Sequence, residues 1–105
     1  MKIRWKDEAK ISMRQIAKYI NKRFGEKSRR EFVQRVRDME KSLKINPFFP
    51  KVDPLFDAFG KEYRSVFING LSRMVYYVDG DIIRIAAFFD GRRDAEEESR
   101  RIMEG

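Results

Sequence analysis

The first half of the chain spaces its apolar residues as amphipathic helices do. Residues 1–5 alternate polar and apolar side chains, which predicts a short half-buried strand. One apolar stripe with a helical period then predicts a helix that stops at Gly25. A second stripe predicts another helix, which begins at a Ser28–Glu31 capping box and ends at Asn46, just before a proline. The stripes are Ala9, Met13, Ile16, Ala17, Ile20 and Phe24, and then Phe32, Val36, Met39 and Leu43. We expect the two helices to form an antiparallel hairpin.

The second half of the chain has the pattern of a β-sheet. Residues 47–61 are rich in Pro, Phe and Asp without a period, which predicts an irregular connection whose aromatic side chains tuck under the domain edge. Three β-branched and aromatic runs follow, separated by Asn69-Gly70 and Asp79-Gly80, dipeptides typical of tight hairpins. The runs are Glu62–Ile68, Leu71–Val78 and Asp81–Phe89. We therefore predict a three-stranded meander, closed by Asp90-Gly91 and followed by a short acidic helix at Ala95–Met103.

Two-residue turns would fix which side chains share a face of the sheet. With Ile68 opposite Leu71 and Val78 opposite Asp81, one face carries no charge and is expected to receive the helices. It comprises Tyr63, Ser65, Phe67, Ser72, Met74, Tyr76, Ile83, Ile85, Ala87 and Phe89. The open face comprises Arg64, Val66, Arg73, Val75, Tyr77, Ile82, Arg84, Ala86 and Phe88. It would hold three arginines with no acidic partner, and an anion or an acidic protein segment would relieve their repulsion.

Length and composition limit the possible chemistry. The chain has 105 residues, enough for one α+β domain, and we expect residues 1–105 to form it. Cys and His are both absent, which excludes disulfides, thiolate nucleophiles, imidazole bases and most transition-metal sites. The start lacks an apolar leader, and no apolar run approaches the roughly 18 residues that span a bilayer. We expect a cytoplasmic protein that uses no cofactor and no membrane.

Positive charge is concentrated towards the N-terminus. Lys plus Arg number 24 against 17 Asp plus Glu, which gives a net charge of +7. Residues 1–46 hold 15 basic residues against 6 acids, residues 47–94 hold 7 against 7, and residues 95–105 hold 2 against 4. A field of this sign favours an anionic partner such as nucleic acid or an acidic protein segment.

Two clusters of charge have ordinary explanations beside their functional ones. Asp79, Asp81, Asp90 and Asp94 could suggest a divalent-cation site, but Asp-Gly pairs are usual in turns, so we predict no metal site. The arginines of the second helix could contact nucleic acid, although a solvated basic face is the commoner explanation. They are Arg29, Arg30, Arg35 and Arg37.

The order of elements and one long segment together carry a family resemblance. The segment is Ser72-Arg73-Met74-Val75-Tyr76-Tyr77-Val78, the Asp79-Gly80 turn, Ile82–Phe89 and then Gly91-Arg92-Arg93-Asp94. Over essentially its whole length the chain resembles the RelE/ParE superfamily, the toxins of bacterial type II toxin–antitoxin modules. The resemblance implies growth inhibition, plasmid stabilisation and a cognate acidic antitoxin, partly disordered until it binds, in a complex that could be a heterotetramer.

RelE-like members of this superfamily cut mRNA in the ribosomal A site without a metal. The resemblance implies that Arg73 matches a catalytic arginine, that Arg64 matches a lysine on the preceding strand, and that Arg93 matches an arginine of the basic turn. Two expected groups are missing, because Val66 stands at the second lysine position and Ser99 stands near the expected tyrosine. Cleavage by a 2′-hydroxyl needs groups that take and give a proton, and arginine stays protonated.

ParE-like members act on DNA gyrase and commonly have a His-Gly-x-x-Asp-like segment after the last strand. Residues 89–94 resemble that segment, with Asp90 in place of the His. This favours a gyrase-binding toxin. Its expected binding residues are Arg64, Arg73, Tyr77, Arg84, Arg92 and Arg93. The alternatives are a ribosome-dependent mRNA endoribonuclease, with Arg64, Arg73 and Arg93 as catalytic residues, and a basic binding module without toxicity.

Overall fold

A computed structural model describes residues 1–70 and 72–90, with only the backbone at residues 57–59. Its elements, in chain order, are β1 (Lys2–Trp5), α1 (Asp7–Phe24), α2 (Glu26–Ile45), a 3₁₀ segment (Pro54–Phe59), β2 (Arg64–Ile68), β3 (Ser72–Asp79) and β4 (Ile82–Asp90). The predicted α+β architecture, with its helix pair and meander, is confirmed. The helix predicted at Ala95–Met103 lies outside the described residues.

The four strands form one sheet in the order β1-β4-β3-β2. β1 lies parallel to β4, whereas β2, β3 and β4 pair antiparallel as the predicted meander. The backbone N–H groups of Lys2 and Lys6 donate to the carbonyls of Asp81 and Ile85, each at 2.9 Å. The N-terminal strand is therefore held against the last strand, and β2 forms the opposite edge.

A single glycine joins the two helices. Gly25 has a φ of 98°, which a side chain would disfavour, and its N–H donates to the Asn21 carbonyl at 3.0 Å. The predicted capping box is wrong, because the N-cap of α2 is Gly25, three residues before Ser28. Ser28 lies inside the helix and donates to the Phe24 carbonyl at 3.4 Å. The loop between the helices is therefore shorter than the predicted capping box implied.

The first turn of the meander differs by one residue from the prediction. Ile68 pairs with Ser72 rather than with Leu71, and Asn69 and Gly70 both have positive φ. Because side chains alternate, this shift moves every β2 side chain to the other face. Val66 and Ile68 become buried on the helix side, and Phe67 faces the opposite side with 55% of its surface exposed. The buried pair of branched residues explains why this register is preferred.

The second turn and a β-bulge give a further correction. Asp79 pairs with Ile82, so the two-residue loop is Gly80-Asp81, and Tyr77 lies opposite Arg84. The pairing is shifted by two residues from the prediction. Because side chains alternate, the residues near this turn stay on the faces that were predicted for them. An irregularity at Val75/Tyr76 then leaves one extra residue on β4, which exchanges the faces of its last residues. Phe88 joins the helix-side core, whereas Ala87 and Phe89 join the core on the other face.

The sheet is packed on both faces. The helix-side core contains Ala9, Ala17, Phe32, Val36, Leu43, Val66, Ile68, Met74, Tyr76, Ile83, Ile85 and Phe88. A smaller core on the other face contains Phe56, Tyr63, Val75, Ala87 and Phe89. The face predicted to be open is thus partly covered by the 3₁₀ segment through Phe56. The aromatic side chains of Phe48 and Phe49, predicted to tuck under the domain, are more than half exposed.

Neither helix of the described chain combines the length and apolarity needed to span a bilayer.

Ile85 tests the helix-side core. The side chain is fully buried, so Ile85→Ala should lower the free energy of unfolding by about 2–5 kcal/mol, measured by urea denaturation. Ile11→Ala is the matched control, since Ile11 is about half exposed on α1 and should change stability by less than about 0.5 kcal/mol. Equal losses in the two variants would contradict the assignment of β4 faces.

Candidate functional site

Residues 47–61, named the strap here, connect the helices to the sheet. The strap begins on the helix side, where the Pro47 carbonyl accepts a hydrogen bond from the Tyr76 hydroxyl at 2.6 Å. Val52 then forms a bridge with Arg64, and the Asp53 N–H donates to the Tyr63 carbonyl at 2.8 Å. The 3₁₀ segment follows on the opposite face. The strap therefore passes around the β2 edge from one face of the sheet to the other.

Arg73 lies on the strap-covered face and is bound by an acid of the strap. Its Nη2 forms an ion pair with Asp53 Oδ2, and its Nε donates to Ser65 Oγ at 3.1 Å. The Ser65 hydroxyl donates in turn to Asp53 Oδ2 at 2.8 Å, and Asp53 Oδ1 accepts the Leu55 N–H at 3.1 Å. Asp53 and Arg73 are mostly buried, with 10% and 18% of their side chains exposed. We call this triangle of Arg73, Asp53 and Ser65 the Arg73 clamp.

Two aromatic rings lie close to the Arg73 clamp. The Arg73 guanidinium carbon lies 5.4 Å from the centre of the Phe67 ring and 5.7 Å from that of Phe56. Such contacts add cation–π attraction to the charge-assisted hydrogen bonds. The Arg73 side chain is therefore fixed between the strap and the sheet by its ion pair with Asp53 and its contacts with the two rings.

Arg64 lies on the helix side of the sheet, and its predicted place on the open face is wrong. The one-residue shift of β2 directs it towards the start of the strap, where it donates to the carbonyls of Phe48 and Pro50. Its guanidinium carbon also lies 5.1 Å from the centre of the Phe48 ring, and Glu62 is 3.7 Å away. Arg64 and Arg73 therefore hold the strap from opposite faces and do not converge.

Arg84 occupies the predicted face but is also paired. Its Nε donates to Asp79 Oδ2 at 2.8 Å, and this hydrogen bond raises the pKa of Arg84 above its usual value. Asp79 comes from the end of the neighbouring strand, a position that the sequence-based register did not place beside Arg84. The prediction of three arginines without acidic partners is therefore wrong for all three.

Tyr77 and Lys61 form a polar pair on the same face as Arg73. Lys61 Nζ lies 3.3 Å from the Tyr77 hydroxyl oxygen and 4.4 Å from the centre of its ring. The hydrogen bond to Tyr77 raises the pKa of Lys61, so the ammonium form is favoured. Tyr63 packs edge-on against Tyr77 with ring centroids 5.4 Å apart. The pair can present a cation and a phenol to an anion, and Lys61 is poorly suited to accept a proton.

Sequence reasoning missed Asp53 and Lys61, because both lie in the strap, which has no periodic pattern. One signal was present: Asp53 precedes Pro54, and an acidic residue before a proline is typical of the start of a helical turn. Arg92 and Arg93, the other predicted binding residues, lie outside the described residues. Within residues 1–70 and 72–90, no group of three or more acidic side chains is close enough to hold a metal ion.

Known proteins resemble both the sequence and the fold. The sequence model of a family described as "ParE toxin of type II toxin-antitoxin system, parDE" matches residues 3–95. The structure of a chromosomal ParDE TA system from P. aeruginosa matches with a TM-score of 0.68 and 17% identity, covering 86% of this chain and 95% of that chain. A YoeB-YefM complex from Staphylococcus aureus matches with a TM-score of 0.56 and 22% identity, covering 85% and 94%. No curated protein sequence gives a significant match.

The Arg73 clamp can be measured by a double-mutant cycle with Arg73→Ala and Asp53→Ala. Because both side chains are mostly buried, we expect each variant to lose about 2–3 kcal/mol of unfolding free energy and the pair to be coupled by more than 1 kcal/mol. Arg84 and Asp79 provide the control cycle. Their side chains are 40% and 56% exposed, so solvent screening should make their coupling clearly smaller than that of the clamp. A clamp coupling no larger than that of the control would contradict its structural role.

The hydrogen bond from the Tyr76 hydroxyl to the Pro47 carbonyl predicts that stability depends on pH. Burial raises the pKa of Tyr76 to about 12, above the ordinary value of about 10 that the unfolded chain would have. The unfolded state therefore releases this proton first, and the stability that depends on neutral Tyr76 should be lost as the pH rises from about 10 to 12. Tyr76→Phe should cost about 1 kcal/mol at pH 7 through the lost hydrogen bond. The test is urea denaturation of both proteins from pH 8 to 11. The difference between their free energies of unfolding should become smaller as the pH rises. A constant difference would contradict a role for neutral Tyr76.

Proposed function

Because the chain belongs to the ParE toxin family of type II toxin–antitoxin systems, we propose that it inhibits growth by binding DNA gyrase. The family is established by the match over residues 3–95, whereas the two solved structures establish the fold alone. In this proposal the toxin acts in the cytoplasm by contact, without chemistry of its own. A cognate acidic antitoxin neutralises it in a heterotetramer.

The engagement of the strand arginines is the observation that carries the gyrase proposal. A metal-independent ribonuclease needs cations aimed at the same phosphate, where negative charge develops in the transition state. Here Arg73 is bound to Asp53, and Arg64 donates to strap carbonyls on the opposite face of the sheet. These two side chains act within the fold, and neither is available to a phosphate without opening the strap. A toxin that acts by binding does not require them to be free.

The Lys61–Tyr77 pair favours a second candidate function, the mRNA endoribonuclease. Because Tyr77 accepts a hydrogen bond from Lys61, its own hydroxyl proton can point outward towards a leaving group, as a general acid requires. The raised pKa of Lys61 weighs against it as the matching base. This candidate therefore has a proton donor in Tyr77, whereas the carboxylate of Asp79, close to Lys61, is already engaged by Arg84.

An antitoxin partner is supported by the charge of the chain and by its neighbours. The matching family is described as a toxin of a type II toxin-antitoxin system, and one similar structure is described as a ParDE TA system. The net charge of +7 favours an acidic segment, and an antitoxin region that folds on binding could follow a large surface of a small toxin.

Two reconstituted assays separate the candidates. We expect the purified toxin to stall gyrase as covalent cleavage complexes on plasmid DNA and to leave a defined mRNA on ribosomes intact. Arg92→Ala with Arg93→Ala should weaken the gyrase effect at least tenfold, since these arginines belong to the proposed binding surface. Lys2→Ala, an exposed change at the far edge of the sheet, is the control and should act as the unchanged toxin does.

Cutting of the mRNA at the ribosomal A site would overturn the gyrase proposal. Tyr77→Phe then tests the alternative, because it keeps the ring that packs on Tyr63 and removes only the hydroxyl. A general acid at Tyr77 predicts a cleavage rate lower by about 100-fold or more. If cleavage is unaffected in a folded Tyr77→Phe variant, the proton donor must be another group.

A further inference from the structure

Among the described residues, most of the exposed positive charge lies on the two helices. Arg64, Arg73 and Arg84 each have an acidic partner within 4 Å. The helical hairpin has eleven exposed cations, and none of them forms an ion pair with another described residue. Nine of them, all except Arg23 and Arg35, are called the basic helical surface here: Lys10, Arg14, Lys18 and Lys22 of α1, and Lys27, Arg30, Arg37, Lys41 and Lys44 of α2. An anionic partner would therefore find unpaired cations on the hairpin.

The α2 part of this surface is a regular stripe. Steps of three and four residues from Lys27 to Lys44 meet five cations and one amide, Gln34, and all six side chains are exposed. The stripe lies opposite the buried face formed by Phe32, Val36 and Leu43. Seventeen residues of helix extend over about 25 Å. The cations are thus spread along a straight line on the outer side of the molecule.

The α1 cations continue the surface beside the stripe. Lys10, Arg14, Lys18 and Lys22 follow each other at four-residue intervals, and each is exposed. Lys10 and Arg14 line the same inter-helix groove as Arg37, with the acid Glu40 at one side. Glu40 accepts the Trp5 indole N–H at 3.2 Å, so its carboxylate is already engaged. The two helices therefore form one continuous cationic surface.

We propose that the basic helical surface binds the phosphate backbone of a double-stranded nucleic acid. A duplex carries a phosphate every 3.4 Å along each strand, which suits a straight row of cations of this length. The exposed α2 stripe contains no apolar residue that could anchor a protein partner. The groove between the helices has an apolar floor, but at about 200 Å³ it is smaller than clefts that usually take up ligands. These features favour a polyanion over an acidic amphipathic peptide.

The proposal is independent of the toxin's cellular target. Phosphate contacts release counterions, so a surface of this kind binds with a steep salt dependence and little sequence preference. Five contacts would give a slope of about −4 to −5 in a plot of log affinity against log salt concentration. Such binding would place the toxin on nucleic acid before it meets a protein target.

Fluorescence anisotropy with labelled 20-base-pair duplexes tests the proposal. The full chain is titrated into DNA and RNA duplexes of the same sequence between 50 and 200 mM salt. We expect affinity for at least one duplex to fall by a factor of about 100 or more over this range. The duplex that binds more tightly identifies the source of the backbone. Poly-glutamate of equal charge serves as the acidic-protein probe, and tighter binding to it than to either duplex would overturn the proposal.

Two variants with the same change in net charge locate the surface. Arg30→Gln with Arg37→Gln and Lys41→Gln removes three stripe cations and should lower the salt slope by about 2–3. Lys2→Gln with Arg4→Gln and Lys51→Gln removes three exposed cations elsewhere and should lower the salt slope by less than 1. Circular dichroism checks that each variant is folded, and Lys27→Gln with Lys44→Gln replaces the triple variant if it is not. Equal losses in the helix and control variants would reject the surface.

Discussion

The ion pair between Arg73 and Asp53 connects the β-sheet to the irregular strap. These are the two parts of the chain whose sequence patterns differ most. A sheet with helices on one face leaves Val75, Ala87 and Phe89 facing water unless something covers the other face. The strap supplies Phe56 for that purpose, and Asp53 fixes the strap three residues earlier, directly before the 3₁₀ segment begins. Burying an arginine is costly unless a charge and hydrogen bonds compensate for it. Asp53 and Ser65 provide both, so the second core and the clamp depend on each other.

The helices and the number of strands could be predicted because their signals are local. Apolar residues at helical spacing, Gly25 and the proline after Asn46 act within a few residues of one another. Register depends instead on which side chains become buried across the sheet. Asn69-Gly70 is compatible with a two-residue loop and with a longer one, and the choice between them exposes either Val66 or Phe67. The β-bulge at Val75/Tyr76 has no turn dipeptide to mark it, and it reversed the predicted faces of Phe88 and Phe89.

The candidate site was harder to predict than the fold. The sequence gives the number of charged residues, but only the structure shows which of them form ion pairs. Counting residues gives a neutral segment at 47–94 and a net charge of +9 in residues 1–46. The fold uses the acids of the neutral segment to pair its own arginines, as Asp53 does for Arg73 and Asp79 for Arg84. Pairing partners come from loops and strand ends, which have no period. Most of the basic side chains on the helices stay unpaired, with Arg29 and Glu26 as an exception.

The same strand arginine can therefore serve different ends on one fold. The resemblance led us to expect a catalytic role for Arg73, which requires a free guanidinium, whereas here its guanidinium holds the strap to the sheet. A fold does not determine function, since function depends on which side chains are free at the site. Opening the strap would release Arg73 only by exposing Phe56 and leaving Asp53 without its partner. Both steps cost free energy, and this cost counts against any mechanism in which Arg73 must be free to contact a phosphate.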